Sequence, residues 1–364
     1  KTIFPEIEKL YKDEDIFTQN LRITTPSIFK EIYDTLNPLE LTYINEDIKG
    51  AAFEYFLANS PSADKDLGEY FTPRHIVRTM VKLIDPQIGE KIYDPFCGTG
   101  GMLIESYKHI EQSMEHTPAN IKKLQEETLF GRDLTENARI AKMNMILAGD
   151  GHSNISKGDS LTPTNLATIE DKFDIVITNF PFAQDTDYGK YYDIPTKNGN
   201  SICLQHCMKA LKDGGRMAIV VPETVMFKPE LTSTRKYLLE HFKIENIVHL
   251  PAGVFEPYTN VETHIIHAIK KKSPSKIWFF TIKNDGYTLD KTRTEIKDER
   301  SDLDKFLSFK NVNDADKENF GFIAIEKSKI ISNDYTLLSK NYRDILTEQD
   351  SFTPLRQVLL RSKK

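Results

Sequence analysis

The chain has 364 residues, 48 basic against 54 acidic side chains, a net charge of -6 and three cysteines. At about 100–200 residues per domain this is length for two or three domains with a sizeable core, which excludes a staple-dependent mini-protein. No stretch approaches the roughly 18 uninterrupted apolar residues of a membrane helix, and Cys97, Cys203 and Cys207 make no disulfide framework, so a reduced, cytoplasmic compartment without a membrane partner is expected.

The opening KTIFPEIEKLYKDEDIF is polar, so no cleavable leader is expected there. It starts on Lys, and further chain before it is expected. Residues 1–66 hold 7 basic and 13 acidic side chains, and the rest of the chain is balanced at 41 and 41. Such a chain is no self-sufficient polyanion binder, so phosphate attraction would need a local patch or a partner.

Residues 1–66 read as helical, with Ile28, Ile32 and Leu36 at helical spacing and DIKGAAFEYFL continuing the pattern. NSPSADKDLG (59–68) has loop composition. Strands and helices then alternate. Strands are expected at Lys91–Asp94, Thr128–Gly131, Asp174–Thr178, Arg216–Val221, Ile244–Leu250 and His264–Ile269. Helices are expected at Pro73–Ile84, Gly101–Ile110, Thr135–Leu147, Ser201–Leu211 and Ser233–His241. Repeated strand–helix units imply an α/β fold with a mostly parallel, covered sheet. The loop 251–262 has no helix pattern, and a parallel crossover wants about a dozen residues and a helix. The last strand is therefore expected to run antiparallel. KKKSPSK (270–276) reads as a boundary before a charged helical stretch and a short tail.

Asp94-Pro95-Phe96-Cys97-Gly98-Thr99-Gly100-Gly101 follows a strand and opens a helix, so its glycines let backbone N–H groups approach a ligand. A nicotinamide fingerprint wants a third glycine where Leu103 stands, and an acid about 20 residues on. The candidate acid, Asp133, lies 39 residues after Asp94, so dinucleotide oxidoreduction is disfavoured. Asp133 can take both ribose hydroxyls or serve as a first-turn acid. Asp159, in Lys157-Gly158-Asp159-Ser160, can take an adenine amine or be a turn residue. Thr178-Asn179-Phe180-Pro181-Phe182 ends an apolar strand, where ligands of open α/β sheets bind. An amide oxygen and a backbone carbonyl there can accept from an exocyclic amine, and the aromatic can stack on a base. Thr72 is a helix-cap candidate with Pro73 at the first helical position, which leaves the aromatics Tyr70 and Phe71 unexplained. His206, between Cys203 and Cys207, lacks a second ligand pair, so a satisfied core or surface position and no metal site are expected.

Taken in order, these segments resemble the modification (M) subunit of type I restriction–modification systems, among the S-adenosylmethionine-dependent adenine-N6 DNA methyltransferases. The resemblance runs over about residues 47–345 and implies a Rossmann-like methyltransferase sheet, mostly parallel with its last strand antiparallel. It implies a helical N-terminal segment (1–66), a catalytic domain (67–272) and a C-terminal extension for subunit docking (273–364). By resemblance, Tyr70, Phe71, Thr72 and Pro73 border the methionine part of the cofactor. Asp94, Pro95, Cys97, Gly98, Thr99, Gly100 and Gly101 hold the methionine moiety, Asp133 the ribose, and Asp159 with Ser160 the adenine. Asn179, Phe180, Pro181 and Phe182 stand at the catalytic Asn-Pro-Pro-aromatic tetrad, with Asn179 also beside the cofactor. Phe180 replaces the first Pro; it keeps the backbone carbonyl and loses the fixed φ. At Asp133 the family often carries Glu.

The resemblance also implies partners: duplex DNA, a DNA-specificity (S) subunit, a second M subunit and a restriction (R) subunit. The residues after the core show no basic, base-reading segment, in keeping with a separate specificity subunit. Other readings remain open at this point. One is an RNA or protein amide methyltransferase. Another is a cofactor- and DNA-binding assembly platform in which Phe180 marks weak transfer.

Overall fold

A computed structural model describes residues 25–39, 72–150, 154–182, 185–271, 276–309 and 312–342. Of the expected N-terminal helical segment, helix α1 (Pro26–Leu36) is described, with a 3-10 turn at Asn37–Leu39. DIKGAAFEYFL, Tyr70 and Phe71 lie outside the described residues. The chain forms two compact units: residues 1–160 with 177–181, and residues 161–176 with 182–364.

The first unit continues with α2 (Arg74–Ile84), β1 (Ile92–Asp94), α3 (Gly101–Ser113), α4 (Pro118–Lys123), β2 (Leu129–Asp133), α5 (Asn137–Leu147) and β3 (Asn154–Lys157). It also holds the C-terminal end of β4 (Phe173–Asn179). Strand order here is β3-β2-β1-β4. β2 pairs in parallel with both β1 and β3, with Asp94 opposite Gly131 and Gly131 opposite Ile155. Helix α2 buries Ile76, Val77, Met80 and Ile84 at the spacing of one helical face. Gly131 has no room for a side chain: a Cβ would stand 2.8 Å from Leu103 and 3.2 Å from the Cys97 sulfur. That close approach fits the loop after β1 against β2, where the Cys97 N–H donates to the Arg132 carbonyl at 3.0 Å.

In the second unit α6 (Pro163–Ile169) precedes β4. Then come α7 (Gly199–Ala210), β5 (Leu211–Pro222), α8 (Glu223–Phe227), α9 (Thr232–His241), β6 (Lys243–Leu250) and β7 (Thr263–Ile269). β8 (Lys276–Thr281), α10 (Asp302–Phe309), α11 (Asp314–Asn319), β9 (Ile323–Glu326) and α12 (Lys327–Ser332) follow. The order is β4-β5-β7-β6-β8-β9. β7 is antiparallel to both β5 and β6, as the helix-free 251–262 loop requires. It is not the final strand: β8 joins β6 in parallel and β9 pairs antiparallel with β8. Sheet pairing thus continues beyond residue 272, with Phe280, Phe306 and Phe322 packed ring against ring beneath it.

One buried cation ties this unit together. Arg235 is 1% exposed and donates to the carbonyls of Val225, Lys228 and Tyr335 at 2.8–3.1 Å and to Thr232 Oγ1 at 3.0 Å. Burial lowers its pKa to about 10. His206 is fully buried and its Nδ1 meets the Tyr192 hydroxyl at 3.1 Å, a core histidine inside α7.

Candidate active site

The turn after β1 places Asp94 in the lining of a pocket in the first unit. The pocket is lined by Asp94, Phe96, Cys97, Thr99 and Gly101 from the glycine-rich loop and by Thr72 and Arg74 at the start of α2. Val77, Met102 and Asn179 complete the lining. The loop turns on left-handed glycines, Gly98 at φ 51° and Gly100 at φ 87°, and Gly100 caps α3. A Cβ on Gly100 would sit 3.2 Å from Ala141 of α5. From the same helix Asn144 donates to the Thr99 carbonyl at 3.0 Å and pins the loop.

Asp94 is 1% exposed. Its Oδ1 accepts from Thr178 Oγ1 at 2.6 Å and from the Phe96 N–H at 3.1 Å. Burial nevertheless lifts its pKa to about 7, with the neighbouring Asp133 adding to the rise. Burial also raises the Cys97 thiol well above its ordinary value, with the Asp94 charge second. That thiol is therefore a lining group rather than a nucleophile.

Asp133 ends β2 and uses both carboxylate oxygens within the first unit. Oδ2 accepts the Gly98 N–H at 3.0 Å, and Oδ1 accepts the Thr135 N–H at 2.8 Å and hydroxyl at 2.6 Å. Ser160 is buried and donates to the Pro95 carbonyl at 2.6 Å, so it braces the loop from behind. Asp133, Asp159 and Ser160 do not line the pocket; Asp159 is half-buried.

Asn179 is the end residue of β4. Its Nδ2 donates to Thr72 Oγ1 at 3.0 Å, and its Oδ1 is buried without a hydrogen-bond partner. Phe180 is 1% exposed, its ring edge-on to Phe96 with centroids 6.3 Å apart. Pro181 is half-buried, and so is Phe182, which belongs to the second unit. The Thr72 cap expected from the sequence does not form: α2 starts at Arg74 with Pro73 as its cap and no side-chain capping bond. The amides of Ile76 and Val77 donate to the Pro73 carbonyl instead.

The geometry adds three roles that the sequence does not show: Arg74 supplies the pocket's cation, Thr178 bonds Asp94 and Asn144 pins the loop. Leu134, directly after the strand-end acid Asp133, is 63% exposed and outside the pocket lining. Among the described residues no three His, Cys, Asp or Glu side chains are grouped for a metal ion, and no helix is long and apolar enough to cross a membrane.

The first unit's parallel β3-β2-β1-β4 order with a glycine-rich loop after β1 and Asn179 at the end of β4, and the second unit's reversed β7 between β5 and β6, are those of a Rossmann-like methyltransferase fold. The N-6 DNA methylase family model matches residues 44–351, and the chain belongs to that family. It is 30% identical over 261 residues to the type I restriction enzyme EcoEI methylase subunit of Escherichia coli, covering 70% of this chain and 53% of that protein. The chain spans about half the length of the curated relatives it matches first. Among solved structures, one on complex assembly and conformational transition of the type I R-M system has a TM-score of 0.72 at 25% identity. It covers 99% of this chain and 80% of that one. The type I restriction-modification methyltransferase subunit of Streptococcus thermophilus shares the fold, with a TM-score of 0.70 at 22% identity, covering 92% and 74%.

Proposed function

We propose that this chain transfers the methyl group of S-adenosylmethionine to the N6 amine of adenine in duplex DNA. In this reading it works as the methyltransferase subunit of a type I restriction–modification complex. The observation that carries the reading is the buried, partnerless Oδ1 of Asn179 at the pocket shared with Asp94 and the glycine-rich loop. A buried acceptor left open costs about 1–3 kcal/mol, which a donor amine would recover.

The pocket suits an amino-acid moiety. Asp94 would hold the ammonium group, Arg74 the carboxylate, and loop amides the remaining polar atoms. Asp133 would take the ribose through lone pairs left beyond its bonds to Gly98 and Thr135, Leu134 would cover one adenine face, and Asp159 with Ser160 would border that ring. Tyr70, Phe71 and Pro73 would flank the methionine part. When bound, the cofactor supplies an electrophilic methyl group.

The chain's own work is then positional. An adenine amine in a duplex lies inside the stack, so the base must be extruded. Phe182 would stack on it, and Asn179 Oδ1 with the Phe180 carbonyl would accept from the amine. Two acceptors turn the nitrogen lone pair toward the methyl, and alignment rather than acid–base chemistry lowers the barrier. The buried ring of Phe180 gives that substitution a packing role independent of transfer.

Sequence choice would come from a specificity subunit, with a second copy of this chain and a restriction subunit as further partners of a cytoplasmic complex. The acidic N-terminal segment and residues 273–364 are the candidate docking regions. The test is transfer of labelled methyl to duplex DNA by this chain alone and with its genomic neighbours. Label on adenine only in the assembled sample supports the reading; label on RNA or protein in competition overturns it.

A further inference from the structure

Thr72 has the sequence context of a helix cap, yet its oxygen is not spent on the helix, whose first amides use the Pro73 carbonyl. It accepts Nδ2 of Asn179 instead, at 3.0 Å and across 107 residues of sequence. A carboxamide is planar, with an acceptor on one arm and two donors on the other. With the nitrogen arm held by Thr72, the oxygen arm is the one left buried and partnerless, and both residues line the same pocket. An amine brings hydrogens to donate. Only the orientation with oxygen open can receive it; the reversed amide could still bond Thr72, whose hydroxyl also donates, but it would set its own NH2 against the amine.

We propose that Thr72 is a positioning residue for methyl transfer: its hydroxyl oxygen holds the Asn179 amide so that Oδ1 is presented to a donor amine. This rests on the reading of Asn179 given above. Thr72 thereby couples the start of α2 to the end of β4, which accounts for a threonine whose capping position is unused. Valine, of the same shape, would leave Nδ2 without an acceptor and free the amide to turn.

The test uses two cofactor analogues that bind without turnover. Sinefungin carries a protonated amine where the methyl sulfonium stands; S-adenosylhomocysteine has neither the amine nor the methyl. Their affinity ratio on this chain reads the acceptors that face the amine, and its change in an Asn179 variant isolates the contact with Asn179. The native chain is expected to prefer sinefungin by about tenfold, the value of one charge-assisted hydrogen bond. Asn179→Ala should bring the ratio near one. Thr72→Val should do the same while keeping S-adenosylhomocysteine affinity within about twofold, and Thr72→Ser should keep the native ratio. The double variant should be no worse than Asn179→Ala, because the two residues act as one unit. In the assembled, DNA-bound complex Thr72→Val should lower kcat with cofactor KM unchanged, and Thr72→Ser should rescue it.

Equal weakening of both analogues in Thr72→Val, or an unchanged ratio there, overturns the proposal and leaves Thr72 a cofactor or fold contact. A native ratio near one, or one that Asn179→Ala does not move, overturns the reading of Asn179 itself. If Thr72→Val folds poorly, Thr72→Ala carries the same expectation.

Discussion

Asn179 and Arg235 are both polar side chains at the ends or edges of buried elements, and they are treated in opposite ways. Arg235, in the second unit, has five N–H donors. Backbone carbonyls and the Thr232 hydroxyl are within reach of all three nitrogens. Asn179, in the first unit, is satisfied on one arm only. A buried group with every bond made is closed to ligands and holds structure; one with a bond left open holds free energy that a ligand can recover. The open acceptor lies on the pocket beside the glycine-rich loop, and the closed donor is spent on the fold.

The largest effects break that comparison directly. Asn179→Ala should reduce methyl transfer by at least about 100-fold, the usual cost of a transition-state-aligned contact. Cofactor affinity by calorimetry should stay near native. Near-native rates would mean that the open oxygen is not catalytic. Arg235→Met should act on stability instead. It strands several buried carbonyls at about 1–3 kcal/mol each, so a loss of roughly 3 kcal/mol in denaturant unfolding is expected. Arg235→Lys should lose less, keeping the charge but not the planar fork. If the Met variant unfolded at the native midpoint, the carbonyl cage would hold nothing.

The tetrad itself mixes the two kinds of residue. Phe180 stands beside Asn179, but its ring is a core side chain against Phe96. Phe180→Ala should therefore cost about 3–5 kcal/mol in stability, as buried phenylalanines do. A return to proline would remove the same ring, so any change in its rate must be compared among fully folded samples. A Phe180→Ala variant unfolding like the native chain would place that ring outside the core.

How much was legible follows from the same distinction. The sequence shows long, strongly periodic elements: α2, α3, α5, β5, β6 and the reversed β7 all lie where pattern and loop chemistry put them. It does not show β3, four residues with one buried side chain, because so short a strand has no period to read. β8 and β9 escape pattern reading for a different reason. KIWFFT is a short apolar run directly behind a Pro- and Ser-bearing stretch that reads as a boundary. At the site, motif residues were visible because glycine, proline and amide chemistry is local. Thr178 on Asp94, Asn144 on Thr99 and Thr72 on Asn179 were not, since those bonds join positions 84, 45 and 107 residues apart. Thr72 reads as a cap because the local rule it satisfies is complete by itself.

Asp94 lies between the two extremes and yields the smallest and most graded effect. It is buried like Arg235, but two hydrogen bonds do not offset its desolvation, and its pKa stands near 7 against an ordinary 3.8. Between about pH 4 and 7 the folded chain therefore keeps a proton that the unfolded chain has lost. Stability contributed by this group is full below pH 4, falls as pH rises through that window and is level above 7. An ammonium group in the pocket would reverse the preference, because it binds the ionised carboxylate. Cofactor affinity should then rise with pH, by up to about tenfold per unit below 7, with one proton released on binding, and flatten above it. Asp94→Asn should bind more weakly at pH 8 and show no such slope. Calorimetry in two buffers of different ionisation enthalpy reads the proton directly. An Asn variant that kept the native slope would assign the proton to another group and leave Asp94, like Arg235, a buried charge with a structural task.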